Sequence, residues 1–187
     1  MSWLLPSSGA VSSGGAKGFS LVELMVALAV LAVLATTAIP AFDTLMRNTR
    51  VSVAAGELIS ALFLARSEAI KRGRRSTLCT SADGEFCAQG IDWTDGWLLF
   101  VDANGNGQRD AGEVRIRVSG AREAPVTIRG NVPVRSYVSY LPTGVTRTLH
   151  GALQMGTLTV CDRNAVRQIV ISATGRPRLV AGGDCNG

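Results

Sequence analysis

The chain has 187 residues, 47% hydrophobic and 18% charged, a balance that excludes a disordered polymer and fits one ordinary domain plus an appendage. A single histidine, His150, removes most histidine-based catalysis and most histidine metal sites. The formal charge of +5 is unevenly placed: residues 1–113 carry 9 Lys+Arg against 11 Asp+Glu, whereas residues 114–187 carry 10 Arg against three acids, Glu123, Asp162 and Asp184. A C-terminal region this basic suits an anionic partner, nucleic acid or a membrane surface, or is simply a solvated arginine-rich face.

The first 17 residues are rich in Ser and Gly, and Lys17 is their one charge. Residues 18–40, GFSLVELMVALAVLAVLATTAIP, then form an apolar run long enough to span a bilayer, where a helix alone satisfies every backbone group within one segment. A secretory signal is cut after its apolar stretch. Here a short glycine-ended segment precedes the stretch, so a cut at Gly18 would leave the helix attached. Glu23 is the one carboxylate in this run, and at a bilayer centre it costs roughly 2.5–3.5 kcal/mol. It either reaches the headgroups or meets a cation in an assembled state. Pro40 removes a helix hydrogen bond and is expected to kink or locally melt the helix.

Beyond Pro40 the helical period continues. Val51, Ala55, Leu58, Leu62, Ala65 and Ala69 recur in steps of four and three, with Ile59, Phe63 and Ile70 widening the stripe. Arg50, Glu57, Arg66, Glu68, Lys71 and Arg72 fall on the polar side, and Gly73 follows as a stop signal. The cluster Lys71, Arg72, Arg74 and Arg75 is read as the exposed end of this helix or a phosphate contact.

From Ser76 the texture changes to short β-prone runs between turn residues: 76–80, 96–102, 114–118, 126–129, 136–141, 157–161, 168–172 and 178–181. No alternation of strand and helix appears, so the expected class is α+β, with antiparallel sheets wrapped on a helix face. Four cysteines suit an oxidising compartment and allow three pairings, of which Cys79–Cys87 with Cys161–Cys185 is favoured. Asp102, Asn104, Asn106, Gly107, Asp110 and Glu113 fit the twelve-residue calcium loop at positions 1, 3, 5, 6, 9 and 12. The flanks, however, read as strands rather than helices, and Asn-Gly repeats between strands also make a hairpin turn. Both readings stand. His150 is read as a loop residue, and Tyr140-Leu-Pro-Thr-Gly144 as a strand-to-turn boundary. No phosphate loop or paired-carboxylate arrangement stands out, and no enzyme activity is expected.

The tail Gly175-Arg176-Pro177-Arg178 follows an alternating strand. Residues two apart share a face of a strand, which places Arg176 and Arg178 about 7 Å apart, near the phosphate spacing along one nucleic-acid strand. Arg163, Arg167 and Arg147 are candidates to complete the patch.

Gly18, Phe19, Ser20, Leu21, Glu23, Leu24 and Pro40 resemble the class III leader and helix of type IV pilins and type II secretion pseudopilins. Residues 64–73, LARSEAIKRG, and the set Trp93, Asp95, Gly96, Trp97, Phe100, Asp102, Asn104, Gly107, Asp110 and Glu113 resemble the GspH/FimT branch of that family. The resemblance implies a leader over 1–18, a transmembrane helix over 19–42, an amphipathic stalk helix over 43–75 and a β-rich periplasmic head over 76–187, anchored by a single pass in the inner membrane. It implies cleavage between Gly18 and Phe19 by a prepilin peptidase and N-methylation of Phe19. It also implies pairing of Glu23 with a neighbouring subunit's Phe19 amine, and incorporation among other pilins or pseudopilins. The Gly-Arg-x-Arg tail resembles the DNA-binding element of the FimT branch, which implies sequence-independent binding of double-stranded DNA for natural transformation. A pseudopilin of a secretion system, without nucleic acid, is the rival expectation, and a calcium-stabilised adhesion or priming subunit is a third.

Overall fold

A computed structural model describes residues 18–185. The leader lies outside the described residues except for Gly18, so nothing in the fold bears on it. The chain divides into two compact units, residues 1–41 and residues 42–187. The first helix, α1 (Leu21–Arg72), contributes to both.

In the first unit, α1 is apolar all round. Leu21, Val22, Leu24, Met25, Val26, Leu28, Leu31 and Ile39 are all exposed, a pattern that a helix adopts when lipid or other helices surround it. Among the described residues this is the one helix long and apolar enough to cross a membrane. The local melting expected at Pro40 does not occur: the helix continues through it without interruption. One missing N–H in a ladder of 52 residues leaves the neighbouring bonds to hold the turn.

The second unit holds the rest of α1 and eight strands: β1 (Ser76–Thr80), β2 (Trp97–Val101), β3 (Arg115–Ser119), β4 (Thr127–Gly130), β5 (Tyr137–Tyr140), β6 (Gly156–Asp162), β7 (Ala165–Ile171) and β8 (Pro177–Ala181). They form two four-stranded antiparallel sheets in the orders β3-β2-β1-β5 and β4-β6-β7-β8. The α+β class expected from the sequence is the one found. The helix ends at Arg72, where the Gly73 stop signal places it, and Gly73 sits at φ +62 with its N–H bonded to Ile70 O. That left-handed position is a helix C-cap that glycine fills without strain.

Val51, Ala55, Leu58, Leu62, Ala65 and Ala69 are fully buried, joined by Ala54 and Ala61. They pack on Leu78, Leu99 and Val138 of the first sheet and Ile128, Leu158, Val160, Ile169 and Ile171 of the second. The alanines let sheet backbone approach the helix, while each buried Leu or Ile contributes about 1.5–3 kcal/mol of transfer energy. Phe63 and Ile70 do not widen this stripe. Both are half exposed, Ile70 against the Gly144 turn rather than in the core, while Ile59 is partly buried at the core edge.

Every residue of β1 and β2 is buried. One face of the sheet meets α1; on the other, Cys79, Leu98 and Phe100 form a second small cluster with Cys87 and Tyr137. Cys79 and Cys87 are joined as a disulfide that pins the 80–88 segment over this face, and Cys161 is joined to Cys185. Glu57 of α1 ties the helix to the end of β3, accepting hydrogen bonds from Ser119 Oγ (2.9 Å) and Arg122.

Candidate nucleic-acid interface

The β7–β8 hairpin turns through Ser172-Ala-Thr-Gly175-Arg176. Ser172 N donates to Arg176 O, Gly175 N to Ser172 O, and Arg176 N to Ser172 Oγ. Gly175 has φ +74, and a Cβ there would stand 2.6 Å from Gly144 O and 3.0 Å from Thr146 N. The turn is therefore seated on the backbone of the Gly144 turn with no room for a side chain.

From that seat the register is fixed: Ile171 opposes Pro177 and Val170 opposes Arg178. Pro177, at the first position of an edge strand where a missing N–H is tolerated, is buried with Ile171. Arg176 and Arg178 on either side of it are exposed. Among the described residues neither guanidinium has a carboxylate within ion-pair reach; the seven ion pairs present use other arginines.

The wider patch differs from the expected one. Arg163 occupies the β6–β7 turn at φ +53, at the opposite end of β7 from Arg176. Seven strand residues separate the two ends by about 20 Å. Arg167 pairs with Val160 and Ala181 and shares the pleat face of Ile169 and Ile171, opposite to that of Arg178. Its guanidinium donates to Val166 O. Neither residue joins Arg176 and Arg178, because the hairpin runs away from its turn and the pleat alternates.

Two other arginines border the same seat. Arg147 follows Thr146, whose N–H borders Gly175, and its guanidinium donates to Gly151 O at 3.5 Å. Arg66 of α1 brings its Nε within 3.0 Å of where a Gly144 Cβ would stand. Burial pushes the nearby Tyr140 hydroxyl well above the ordinary phenol range, against which the Arg66 charge acts in the opposite direction. The sequence offered no signal for Arg66 beyond its place on the polar side of the helix; the packing of α1 beside the Gly144 turn selects it. In the other basic cluster, at the helix end, Arg72 is paired with Glu68 and Arg75 donates to Ser139 Oγ.

The 102–113 segment is an exposed β2–β3 turn. Asn104 and Asn106 each donate Nδ2–H to Asp110 Oδ2 at 2.8 Å, Glu113 accepts from Ala103 N and Asp110 N, and Asp102 is buried at the base. Among the described residues no three His, Cys, Asp or Glu side chains converge as metal ligands.

Comparison with known proteins agrees with this architecture. A family model described as type II transport protein GspH matches residues 54–175, and a prokaryotic N-terminal methylation motif matches residues 14–39. The pilin-like protein PilA1 of Thermus thermophilus is 30% identical over 177 residues, covering 87% of this chain and 97% of its own. A fimbrial protein of Pseudomonas aeruginosa is 36% identical over 92 residues, covering 49% of this chain and 56% of its own. Among solved structures, the type IV minor pilin FimU of Pseudomonas aeruginosa superposes with a TM-score of 0.53 at 24% identity, covering 72% of this chain and 90% of its own. The minor pseudopilin EpsH of the Vibrio cholerae type 2 secretion system does so with 0.50 at 15%, covering 72% and 98%. These two likenesses speak to the fold alone. With its apolar N-terminal helix, its buried stripe on α1 and a model match over most of its length, the chain belongs to the GspH family and is a pilin-like protein.

Proposed function

We propose that this chain is a minor type IV pilin whose β8 edge captures double-stranded DNA for uptake during natural transformation. The observation that carries the reading is the pair Arg176 and Arg178: exposed, without carboxylate partners, one closing the turn and the other on the edge strand that follows, with the buried Pro177 between them. Each guanidinium offers a bidentate fork to one phosphate, and Arg66 and Arg147 extend the positive field beside the same turn. Contacts of this kind go to the backbone, so binding is independent of sequence and weakens with salt. Maturation proceeds by prepilin peptidase cleavage between Gly18 and Phe19 and methylation of Phe19. The apolar helix then holds the chain in the inner membrane with the head in the periplasm until assembly with other pilins.

The test is a gel-shift titration of the head (residues 42–187) on a duplex. Replacing Arg176 and Arg178 with Gln should weaken binding about tenfold or more at moderate salt. It should also lower the slope of log K against log salt by about 2, the loss of two phosphate contacts. An unchanged titration would refute the assignment. The same variant supplied to a deletion strain should lower transformation frequency. A second reading, a structural pseudopilin of a type II secretion system without DNA binding, is favoured by the description of the matching family. Wild-type transformation together with lost secretion in the deletion strain would select it.

A further inference from the structure

The β2–β3 turn carries a chemistry that DNA capture leaves unused. Its residues follow the calcium-loop order in full: carboxylate or amide oxygens at the first, third, fifth, ninth and twelfth positions and glycine at the sixth, Gly107. The structure adds an observation independent of that order. Asp102, at the first position, is only 1% exposed, and its Oδ2 accepts from Thr77 Oγ1 (2.9 Å) and Gly107 N (3.1 Å). Its Oδ1 is buried with no partner, and among the described residues no Lys or Arg nitrogen lies within ion-pair reach. A buried carboxylate without a cation is costly, and buried charges in proteins are paired or coordinate metals. The bond from Gly107 N turns this carboxylate toward the loop.

The remaining polar groups stand around the same turn. Asn104 and Asn106 each direct Nδ2 at Asp110 Oδ2, while their own Oδ1 atoms accept from Asn106 N and Gln108 N, and Glu113 closes the turn from the twelfth position. Among the described residues no three His, Cys, Asp or Glu side chains converge here, so the turn has no ligand set for a metal that seeks Cys or His. A hard cation does not need them to: calcium takes six to eight oxygens from carboxylates, amides and main-chain carbonyls together.

We propose that residues 102–113 form a calcium site, with Asp102 Oδ1, the side-chain oxygens of Asp110 and Glu113 and the Gln108 carbonyl as ligands, joined by Asn104 and Asn106 once their amides turn to present oxygen where nitrogen now faces Asp110. Magnesium, which demands six ligands in near-ideal octahedral geometry, is a poor fit to so long and irregular a turn. The ion supplies Asp102 Oδ1 with the direct partner that Arg75, which borders Gly105 but donates to Ser139, does not. Through Thr77 Oγ1, which also contacts Ser139 Oγ at 3.0 Å, it fastens the turn to the side chains of β1 and β5. Gly107 lies against Leu149, since a Cβ there would stand 2.7 Å from Leu149 Cδ1. The proposal rests on the hairpin alone and stands or falls apart from DNA binding.

Titration of the full chain in detergent micelles with calcium chloride, at constant ionic strength, should give one site with Kd on the order of 10⁻⁴ to 10⁻³ M. At tenfold excess over Kd the melting temperature should rise by roughly 3–6 °C, and magnesium chloride should leave both readings unchanged. Asp110→Asn and Glu113→Gln alter the turn without touching the core, and each should weaken calcium binding at least tenfold. No calcium-dependent heat and no melting shift in the wild-type chain, or calcium binding equal in wild type and both variants, would overturn the site.

Discussion

Gly175 shows how one backbone angle positions a functional pair. At φ +74 and with Gly144 O 2.6 Å from the place of its missing Cβ, it tolerates no substitution without displacing main chain. Gly175→Ala should cost about 1–3 kcal/mol, through left-handed strain and a clash with backbone that cannot rotate away. A thermal melt reads this out, and an unshifted Tm would mean that the turn is not seated on Gly144. The exposed arginines flanking Pro177 were legible from the strand period, since alternation is a local property. The absence of Arg163 and Arg167 from their neighbourhood was not legible, because it depends on which end of the hairpin each one occupies.

At the scale of elements, α1 and β3 are coupled through Glu57. Burial raises its carboxyl, but the Arg122 and Ser119 hydrogen bonds and the charges of Arg122 and Arg117 together outweigh it, so the pKa lies below the ordinary 4.5. The unfolded chain therefore binds more protons than the folded one between these two values. The stability from this contact is complete above about pH 5.5 and is lost as pH falls through the folded value. Glu57→Gln should lower stability by about 0.5–1 kcal/mol at pH 6, the scale of a partly exposed pair. It should also narrow the difference in Tm between pH 6 and pH 3; an equal difference in both proteins would contradict the coupling. The helix stripe and the eight strands were visible in the sequence because periods of 3.6 and 2 are written residue by residue. The burial of both faces of β1 and β2 was hidden. It arises from α1 on one side and the Cys79–Cys87 segment on the other, neither of which leaves a trace inside the strands themselves.

For the whole molecule, the decisive group is Glu23, the one charge in an otherwise apolar run from Phe19 to Phe42. A helix apolar on every side gains by lying among lipid or sister helices, and a carboxylate within it gains by meeting a cation there. The resemblance to pilins implies that this cation is the Phe19 ammonium of a neighbouring subunit. Glu23→Ala should leave peptidase cleavage intact yet reduce incorporation into sheared filaments severalfold, judged by immunoblot against the membrane pool. Wild-type incorporation would exclude the pairing. The half-exposed Phe63 and Ile70 of α1 are further apolar surface.

By itself the sequence determined the elements of this protein: an apolar segment, an amphipathic continuation, eight short strands and the order of donors in the 102–113 turn. These follow from periodicity and turn chemistry, which act over a few residues. Only the tertiary structure decided the two sheet orders, the approach of Arg66 to the Gly144 turn, the separation of Arg163 from Arg176, and the burial of Asp102 with an unpaired oxygen. Each of these depends on contacts between residues distant in the chain, where the competition among burial, backbone pairing and side-chain volume is settled by the packed core rather than by any local pattern.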